Sequence, residues 1–307
     1  MPGHEICGEV IAVGAGVGAE CPHKVRDVVL VYPWTGCRQC EYCDAQLSHM
    51  CPNNKTSTTD IGRGYKGSKH GGFQSIFPLE EWSFAIKLPD SIPPYVGCMM
   101  PCSGITSYTA LEKCRPALEF GIKTRKRARL LIVGMGGLGG WALVIAKTLY
   151  GNNVDVTCAD AVEDKMASAT EMRADHTILL SPNQSTDDVT QLFTARGKYD
   201  ACIDIVGIPK TVEACFWSLQ NAGVAVVIGI GGGKLSLATP TLVGRCISII
   251  GSRTGSIEMV RQMVDLFAEK GFYKLPPLEY VTLRDVNDVF ERMKSGAVQG
   301  RAIIKFV

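Results

Sequence analysis

From about Arg129 the chain alternates short apolar segments with longer segments of helical periodicity. Six of the apolar segments are typical of β-strands: RLLIVG, VDVTCAD, HTILLS, YDACIDIVG, VAVVIGI and CISIIGS. The segments between them predict helices, which include LGGWALVIAKTLY, EDKMASATEMRA, TDDVTQLFTA and PKTVEACFWSLQ. Strands joined by crossover helices form a parallel sheet with helices on both faces. We therefore predict an α/β fold with a doubly wound parallel sheet, closed by the amphipathic helix IEMVRQMVDLFAEKG.

The turn after the first of these strands is rich in glycine. VGMGGLGG contains the pattern Gly-x-Gly-x-x-Gly between a strand and a helix. At such a junction the glycines allow a tight turn, close approach of a pyrophosphate and close packing of the helix, whose N–H groups then bind phosphate. This context favours a dinucleotide site of the Rossmann type over glycines that serve only the turn and its packing. The cofactor-binding residues predicted here are Gly134, Gly136, Gly137, Leu138 and Gly139.

An acidic residue follows this turn at the end of the next predicted strand. Asp160 lies 21 residues after Gly139. Its carboxylate can accept hydrogen bonds from both hydroxyls of an adenine ribose, and it would repel a 2′-phosphate. The sequence therefore predicts NAD rather than NADP as the cofactor.

The first hundred residues differ from the rest in composition. They are rich in Gly, Pro and Cys, and the segments EICGEVIAVG, VRDVVLVYPW, GFQSIFPL and SFAIKLP predict an irregular antiparallel β domain. The tail, EYVTLRDVNDVFERMKSGAVQGRAIIKFV, predicts a strand, a helix and a strand. The basic run from Lys123 to Arg129 is more typical of a solvated loop than of an anion-binding or partner site.

Four cysteines cluster within the N-terminal part. GCRQCEYCDAQLSHMCP places Cys37, Cys40, Cys43 and Cys51 in a C-x2-C-x2-C-x7-C pattern, which lets four thiolates converge on one tetrahedral zinc. Four sulfurs fill the coordination sphere, so the predicted site is structural. An iron–sulfur cluster is disfavoured because a ferredoxin run has three residues before its last cysteine, not seven. Disulfides or free thiols are the remaining alternative.

Four segments give the chain a family resemblance. His4 in GHE, taken alone, is more typical of a satisfied polar residue than of a metal ligand. However, GHE with GEVIAVGAGV, the four-cysteine lobe, MMPCSGITSYTAL and the glycine-rich turn occur in the order found in zinc-dependent medium-chain alcohol dehydrogenases, which the chain resembles over nearly its whole length. In that family the His of GHE and the Cys of the third segment bind the catalytic zinc, and the Glu of GHE can enter its coordination. The resemblance thus implies His4, Glu5 and Cys102 as catalytic and metal-binding residues.

The resemblance also implies further contacts with NAD. It assigns Lys165 to the site of Asp160, Arg301 to the cofactor phosphates, and Val206 and Ile228 to strand ends that line the nicotinamide. Related polyol dehydrogenases usually have Glu where this chain has Cys102, and zinc-free quinone reductases lack the four-cysteine lobe, so both are disfavoured.

The fold implied by the resemblance has two domains. A GroES-like β domain is expected over residues 1–105, with the structural-zinc lobe at 36–52. The Rossmann domain is expected over 106–255, and residues 256–307 are expected to form a helix and strands that return to the first domain.

The function implied is oxidation of an alcohol to an aldehyde or ketone, with hydride transfer to NAD and with zinc at a structural and a catalytic site. The expected partner is a small-molecule substrate, and the family suggests a cytoplasmic homodimer or homotetramer. A net charge of +2 gives no indication of nucleic acid as a partner, and no apolar stretch indicates a membrane.

The chain departs from the family pattern at its start. In the family another zinc ligand, a Cys in a Cys-x-Ser/Thr/Asp-type segment, precedes GHE by some tens of residues, and that segment also begins the proton relay. We therefore expect a shortened chain, as a fragment, a gene-model artefact or a splice form, which binds NAD but oxidises alcohols poorly or not at all. A catalytically inactive NAD- and zinc-binding relative is the alternative. Cys7 should face away from His4, because residues three apart in a strand point to opposite sides, whereas Cys21 is left open.

Overall fold

The computed structural model describes residues 3–53, 71–272, 274–298 and 300–306. Its strands are β1 (Ile6–Glu9), β2 (Val28–Val31), β3 (Ala85–Lys87), β4 (Ala128–Val133), β5 (Val154–Asp160), β6 (His176–Leu179), β7 (Tyr199–Asp204), β8 (Leu219–Val227), β9 (Ser248–Gly251), β10 (Leu278–Val281) and β11 (Arg301–Ile304). Its α-helices are α1 (Glu41–Asp44), α2 (Pro94–Gly97), α3 (Ile105–Arg125), α4 (Gly137–Tyr150), α5 (Glu163–Glu171), α6 (Thr186–Thr194), α7 (Pro209–Ser218), α8 (Thr239–Gly244), α9 (Ile257–Lys270) and α10 (Val286–Lys294).

The predicted parallel sheet forms with the order β6-β5-β4-β7-β8-β9. Every neighbouring pair is parallel, so the carboxyl ends of the strands share one edge. The chain runs outward from β4 through β5 and β6, and then returns to β7 on the other side of β4. This reversal opens a crevice at the carboxyl ends of β4 and β7, where doubly wound sheets bind their ligands. The predicted α/β fold with a doubly wound parallel sheet is confirmed.

Both faces of this sheet are buried, which explains the continuous apolar composition of its strands. Successive residues of β4 point to opposite faces: Leu130 and Ile132 pack into one apolar cluster, and Leu131 and Val133 into another. The first cluster continues into the N-terminal sheet, because it also contains Leu30 of β2. One core therefore supports both halves of the molecule.

The N-terminal sheet has three antiparallel strands in the order β1-β2-β3. The prediction of a strand in GFQSIFPL, residues 72–79, is wrong, since the backbone there is irregular. Gly72 and Pro78 flank the segment, and proline has no N–H for a ladder. Ile76 is 63% exposed, and Phe73 packs on Phe290 of the C-terminal helix rather than in a sheet.

The basic run from Lys123 to Arg129 is exposed over residues 123–127, as predicted, but it is not a loop. It covers the end of α3 and the start of β4. Arg125 forms an ion pair with the buried Asp200, whose Oδ2 also accepts a hydrogen bond from the Arg129 N–H at 2.8 Å. A carboxylate leaves water only when it is paired and hydrogen-bonded, so the run supplies the partners of a buried charge.

The C-terminal residues form the predicted strand, helix and strand, with β10 and β11 paired in parallel around α10. Tyr280 of β10 packs edge-on against Tyr95 at 6.0 Å between ring centroids, and Phe290 of α10 stacks on Phe73 at 6.4 Å. This tail therefore contacts the N-terminal third of the chain. Among the described residues, no helix is both long and apolar enough to cross a membrane.

Candidate active site

The glycine-rich turn lies at the crevice between β4 and α4. Gly134 has a φ of +96°, which the tight turn requires and which favours glycine. A Cβ on Gly139 would collide with the Gly134 carbonyl oxygen, so α4 packs directly against the turn. A Cβ on Gly136 would meet no atom within 4 Å, and α4 starts after Gly136 without a side-chain cap. Open space beside uncapped helical N–H groups fits a pyrophosphate.

Asp160 at the end of β5 is fixed beside this turn. Its Oδ2 accepts a hydrogen bond from the Met135 N–H at 2.7 Å, and its Oδ1 accepts one from the Val162 N–H at 3.1 Å. Lys165 on α5 places its Nζ 3.6 Å from Asp160 Oδ2. Each carboxylate oxygen can accept a further bond, so Asp160 can still receive the hydroxyls of a ribose.

The other predicted cofactor residues lie near the turn. Val206 follows β7, and a Cβ on Gly134 would lie 3.1 Å from its Cγ2. Ile228 follows β8, and its N–H donates to the carbonyl of the last residue of β7. The Leu138 carbonyl in the first turn of α4 accepts a hydrogen bond from the Ser107 hydroxyl at 2.8 Å. That bond ties α4 to α3, which follows the segment that carries Cys102.

His4 and Cys102 meet although 98 residues separate them. His4 Nε2 lies 3.1 Å from Cys102 Sγ. Nitrogen and sulfur ligands of one tetrahedral zinc lie about 3.5 Å apart, so the two atoms need to move apart only slightly to bind the metal between them. Cys102 lies in a π-helical turn, Met100–Gly104, a rare conformation that is frequent at functional sites.

The surroundings of this pair suit metal ligands. Burial, and then the charge of Arg301, lowers the pKa of His4, so the imidazole is neutral, which is the form that binds zinc. Burial raises the pKa of Cys102 to about 12, so the thiol keeps its proton until a metal displaces it.

Glu5 does not join His4 and Cys102. Its carboxylate pairs with the guanidinium of Arg301, and its Oε1 accepts hydrogen bonds from the Ser103 N–H at 3.1 Å and hydroxyl at 2.9 Å. Within the described ranges, only the four lobe cysteines bring three or more possible ligand atoms within 4.8 Å of one another. By the same observation, Cys21 does not complete the site.

Arg301 reaches both the metal pair and the cofactor turn. Its guanidinium contacts Glu5, while a Cβ on Gly137 would lie 2.7 Å from its Cδ. The Arg301 side chain thus passes over the start of α4, where the resemblance implies that it contacts the cofactor phosphates. In this structure its guanidinium pairs with the Glu5 carboxylate.

Trp34 supports the pair through contacts with segments that are distant in the sequence. It is 6% exposed, and its ring lies 5.6 Å from that of His4. Its Nε1–H donates to the Pro101 carbonyl at 3.1 Å, next to Cys102. Its own carbonyl accepts a hydrogen bond from the Ser48 hydroxyl of the cysteine lobe at 2.6 Å. The Trp34 side chain therefore contacts His4 and the segment that carries Cys102, and the Trp34 backbone joins this site to the cysteine lobe.

The four lobe cysteines converge as predicted. Cys40 Sγ lies 3.7 Å from the sulfurs of both Cys43 and Cys51, and thiolates on one tetrahedral zinc lie about 3.8 Å apart. The Cys37 N–H donates to Cys51 Sγ at 3.3 Å, and the Gln39 N–H lowers the pKa of Cys37 to about 6. The four sulfurs form no disulfide. Their spacing fits zinc.

Two family models match the chain. The alcohol dehydrogenase GroES-like domain matches residues 1–90, and the zinc-binding dehydrogenase model matches residues 137–269. A probable cinnamyl alcohol dehydrogenase of Medicago sativa is 29% identical over 305 residues, which are 99% of this chain and 79% of that protein. An alcohol dehydrogenase of Geobacillus stearothermophilus is 29% identical over 307 residues, which cover 99% of this chain and 82% of the relative.

A solved structure agrees with these matches. The alcohol dehydrogenase of the archaeon Aeropyrum pernix superimposes with a TM-score of 0.75 at 27% identity, over 98% of this chain and 81% of that one. The GroES-like family model matches the part of the chain that contains the antiparallel sheet, and the zinc-binding dehydrogenase family model matches the later part that contains most of the parallel sheet. The GroES-like and Rossmann parts of the predicted fold are thereby confirmed. The chain belongs to the zinc-dependent medium-chain alcohol dehydrogenase family.

Proposed function

We propose that His4 and Cys102 hold the catalytic zinc with which this NAD-dependent alcohol dehydrogenase oxidises an alcohol to an aldehyde or ketone. The observation that carries the proposal is the 3.1 Å approach of His4 Nε2 to Cys102 Sγ. Arg301 links this pair to the cofactor turn, because its guanidinium pairs with Glu5, the neighbour of His4, and its side chain lies against Gly137. The metal and the dinucleotide would therefore meet at one place.

The chemistry divides between the bound groups and the chain. When bound, zinc supplies Lewis-acid activation of the alcohol, and NAD accepts the hydride. The neutral His4 and the Cys102 thiolate hold the metal. Glu5 is a proposed alternate ligand, and it would have to leave Arg301 and Ser103 in order to act as one.

The cofactor is held by the carboxyl edge of the parallel sheet. The N–H groups at the start of α4 bind the phosphates beside Gly136, and Asp160 accepts hydrogen bonds from the adenine ribose. Val206 and Ile228 position the nicotinamide from the loops after β7 and β8. Arg301 lies close enough to the turn for its guanidinium to leave the Glu5 carboxylate and bind a cofactor phosphate.

We further propose that the four lobe cysteines hold a structural zinc, because their spacing leaves no place for a fifth ligand. The domain limits proposed are 1–105, 106–255 and 256–307, with the lobe at 36–52. A cytoplasmic location and a homodimer or homotetramer are proposals that rest on the family alone.

The test compares zinc content, NAD affinity and NADH formation from a panel of alcohols for the wild type, His4→Ala and Cys102→Ala. Both variants should lose one zinc and at least about a hundredfold in turnover, more than outer-shell changes cost, while NAD still binds. Cys98→Ala is the matched control, since Cys98 is a nearby half-buried cysteine whose thiol donates to the Tyr95 carbonyl at 3.2 Å.

Two results would contradict the proposal. Variants that keep both zincs and full turnover would remove His4 and Cys102 from the site. A wild type that binds NAD and two zincs but oxidises no alcohol would favour the inactive relative.

A further inference from the structure

A buried carboxylate at the crevice has no role in the site described above. Asp204 is the last residue of β7, the strand that borders β4 across the crevice. It is 1% exposed. A buried charge is costly, so its hydrogen bonds indicate what it does there.

Asp204 holds two separate loops at once. Its Oδ1 accepts hydrogen bonds from the Val206 N–H at 2.9 Å and the Gly207 N–H at 2.6 Å, which fixes the loop after β7. Its backbone carbonyl accepts bonds from the Ile228 N–H at 2.8 Å and the Gly229 N–H at 3.1 Å, which fixes the loop after β8.

The two loops pack backbone against backbone. Gly207 has a φ of +73°, and a Cβ there would collide with the Gly229 carbonyl. The Gly231 N–H donates to the Val206 carbonyl at 3.1 Å. Val206 in turn contacts the start of the glycine-rich turn, because a Cβ on Gly134 would lie 3.1 Å from its Cγ2. No side chain separates the loops where Gly207 meets Gly229, so the position of one loop sets that of the other.

The second oxygen of Asp204 is also buried, and the Thr211 hydroxyl lies close enough to interact with the carboxylate. The Thr211 hydroxyl also lies 3.1 Å from the Ile208 carbonyl, so it can donate its single proton to only one of the two oxygens. Burying a charge with few hydrogen-bond donors costs stability, and such groups in native proteins call for a functional explanation.

We propose that Asp204 is a positioning residue that holds the loops after β7 and β8 against the nicotinamide half of NAD. The inference rests on the proposed placement of Val206 and Ile228 beside the nicotinamide. Asp204 touches neither substrate nor cofactor, and it acts through the backbone of the two loops. Its loss should therefore affect the nicotinamide half of the cofactor and spare the adenosine half.

The test uses calorimetric affinities of the full chain for NAD and for ADP-ribose, which lacks the nicotinamide. Asp204→Ala should weaken NAD by about tenfold, the effect of losing one hydrogen bond to a charged group, and should leave ADP-ribose within about threefold. Asp204→Asn keeps an accepting oxygen for both N–H groups, so its NAD affinity should stay within about threefold of wild type. Asp204→Ser has a weaker acceptor, so its NAD affinity should lie between those of the alanine and asparagine variants. It replaces the alanine variant in the test if that variant does not fold.

Asp200→Asn is the matched control, because Asp200 is a buried aspartate at the opposite end of the same strand. It should lower the melting temperature without changing the ratio of NAD to ADP-ribose affinity. Equal weakening of both ligands by Asp204→Ala, or no weakening, would overturn the proposal. Failure of the proposed function is seen separately, as absence of alcohol oxidation by the wild type.

Discussion

At the scale of single residues, the arrangement of the glycine-rich turn and Asp160 was largely predictable from the sequence. Gly134, Gly139 and Asp160 act within one strand–turn–helix–strand unit, so their spacing along the chain already fixes their arrangement. The contacts of Trp34 and Asp204 could not be predicted in this way. Trp34 reaches His4 and Pro101, and Asp204 joins two loops, only after distant segments have been brought together by the core.

The choice of cofactor can be tested at Asp160. Its carboxylate lies at the end of β5 beside the turn, where it would bind ribose hydroxyls and repel a 2′-phosphate. Asp160→Ala should weaken NAD by about 1.5–3 kcal/mol for each hydrogen bond lost and should narrow the preference over NADP. Titration calorimetry with NAD and NADP measures both effects.

The matched control for this prediction is Asp187→Ala, in the first turn of α6 and outside the cofactor crevice. It should leave both affinities unchanged. Equal affinities of the wild type for NAD and NADP would show that Asp160 does not select the cofactor.

At the scale of elements, periodicity predicted the parallel strands and failed where packing overrides local preference. The strands of the central sheet are apolar on both faces, which is distinctive in sequence. Helix α3 was not predicted, because Pro116 and Gly121 lie within it and both disfavour helix. It forms because Leu111 and Leu118 are fully buried against the core. The basic run was misassigned for the same reason, since its partner Asp200 comes from a distant strand.

The cysteine lobe is the element most dependent on a metal. Its helix α1 has four residues and buries none of them, so apolar packing cannot hold it. Cys40→Ser should remove one zinc per chain and open residues 36–52 to hydrogen exchange, because structural zinc supplies the folding energy of such small units. Zinc analysis and exchange mass spectrometry measure the two effects.

NAD binding should survive in Cys40→Ser, since the crevice lies on the other sheet. Cys246→Ser, which changes an exposed cysteine outside the lobe, should behave as wild type. A folded wild-type lobe that contains iron, or no metal, would refute the zinc assignment.

At the scale of the whole molecule, two halves share one core and one site. The apolar cluster runs from β2 through α3 to the parallel sheet, and the Tyr32 hydroxyl donates to the Gly255 carbonyl at 2.7 Å between the two parts. The metal pair comes from the first half and the cofactor turn from the second. Glu5 and Arg301 join them. With the proposed zinc and NAD bound, this arrangement would bring an alcohol at the metal within reach of the cofactor.

The most direct measurement of this account follows a labelled hydride. The zinc-loaded chain is mixed with NAD and alcohols deuterated at the carbinol carbon, and the nicotinamide product is analysed by mass spectrometry. The account predicts deuterium on the reduced nicotinamide with the wild type, and at least about a hundredfold less with Cys102→Ala at saturating NAD. A wild type that holds both zincs and NAD yet transfers no deuterium, or a Cys102→Ala variant that transfers it as fast, would contradict the central claim.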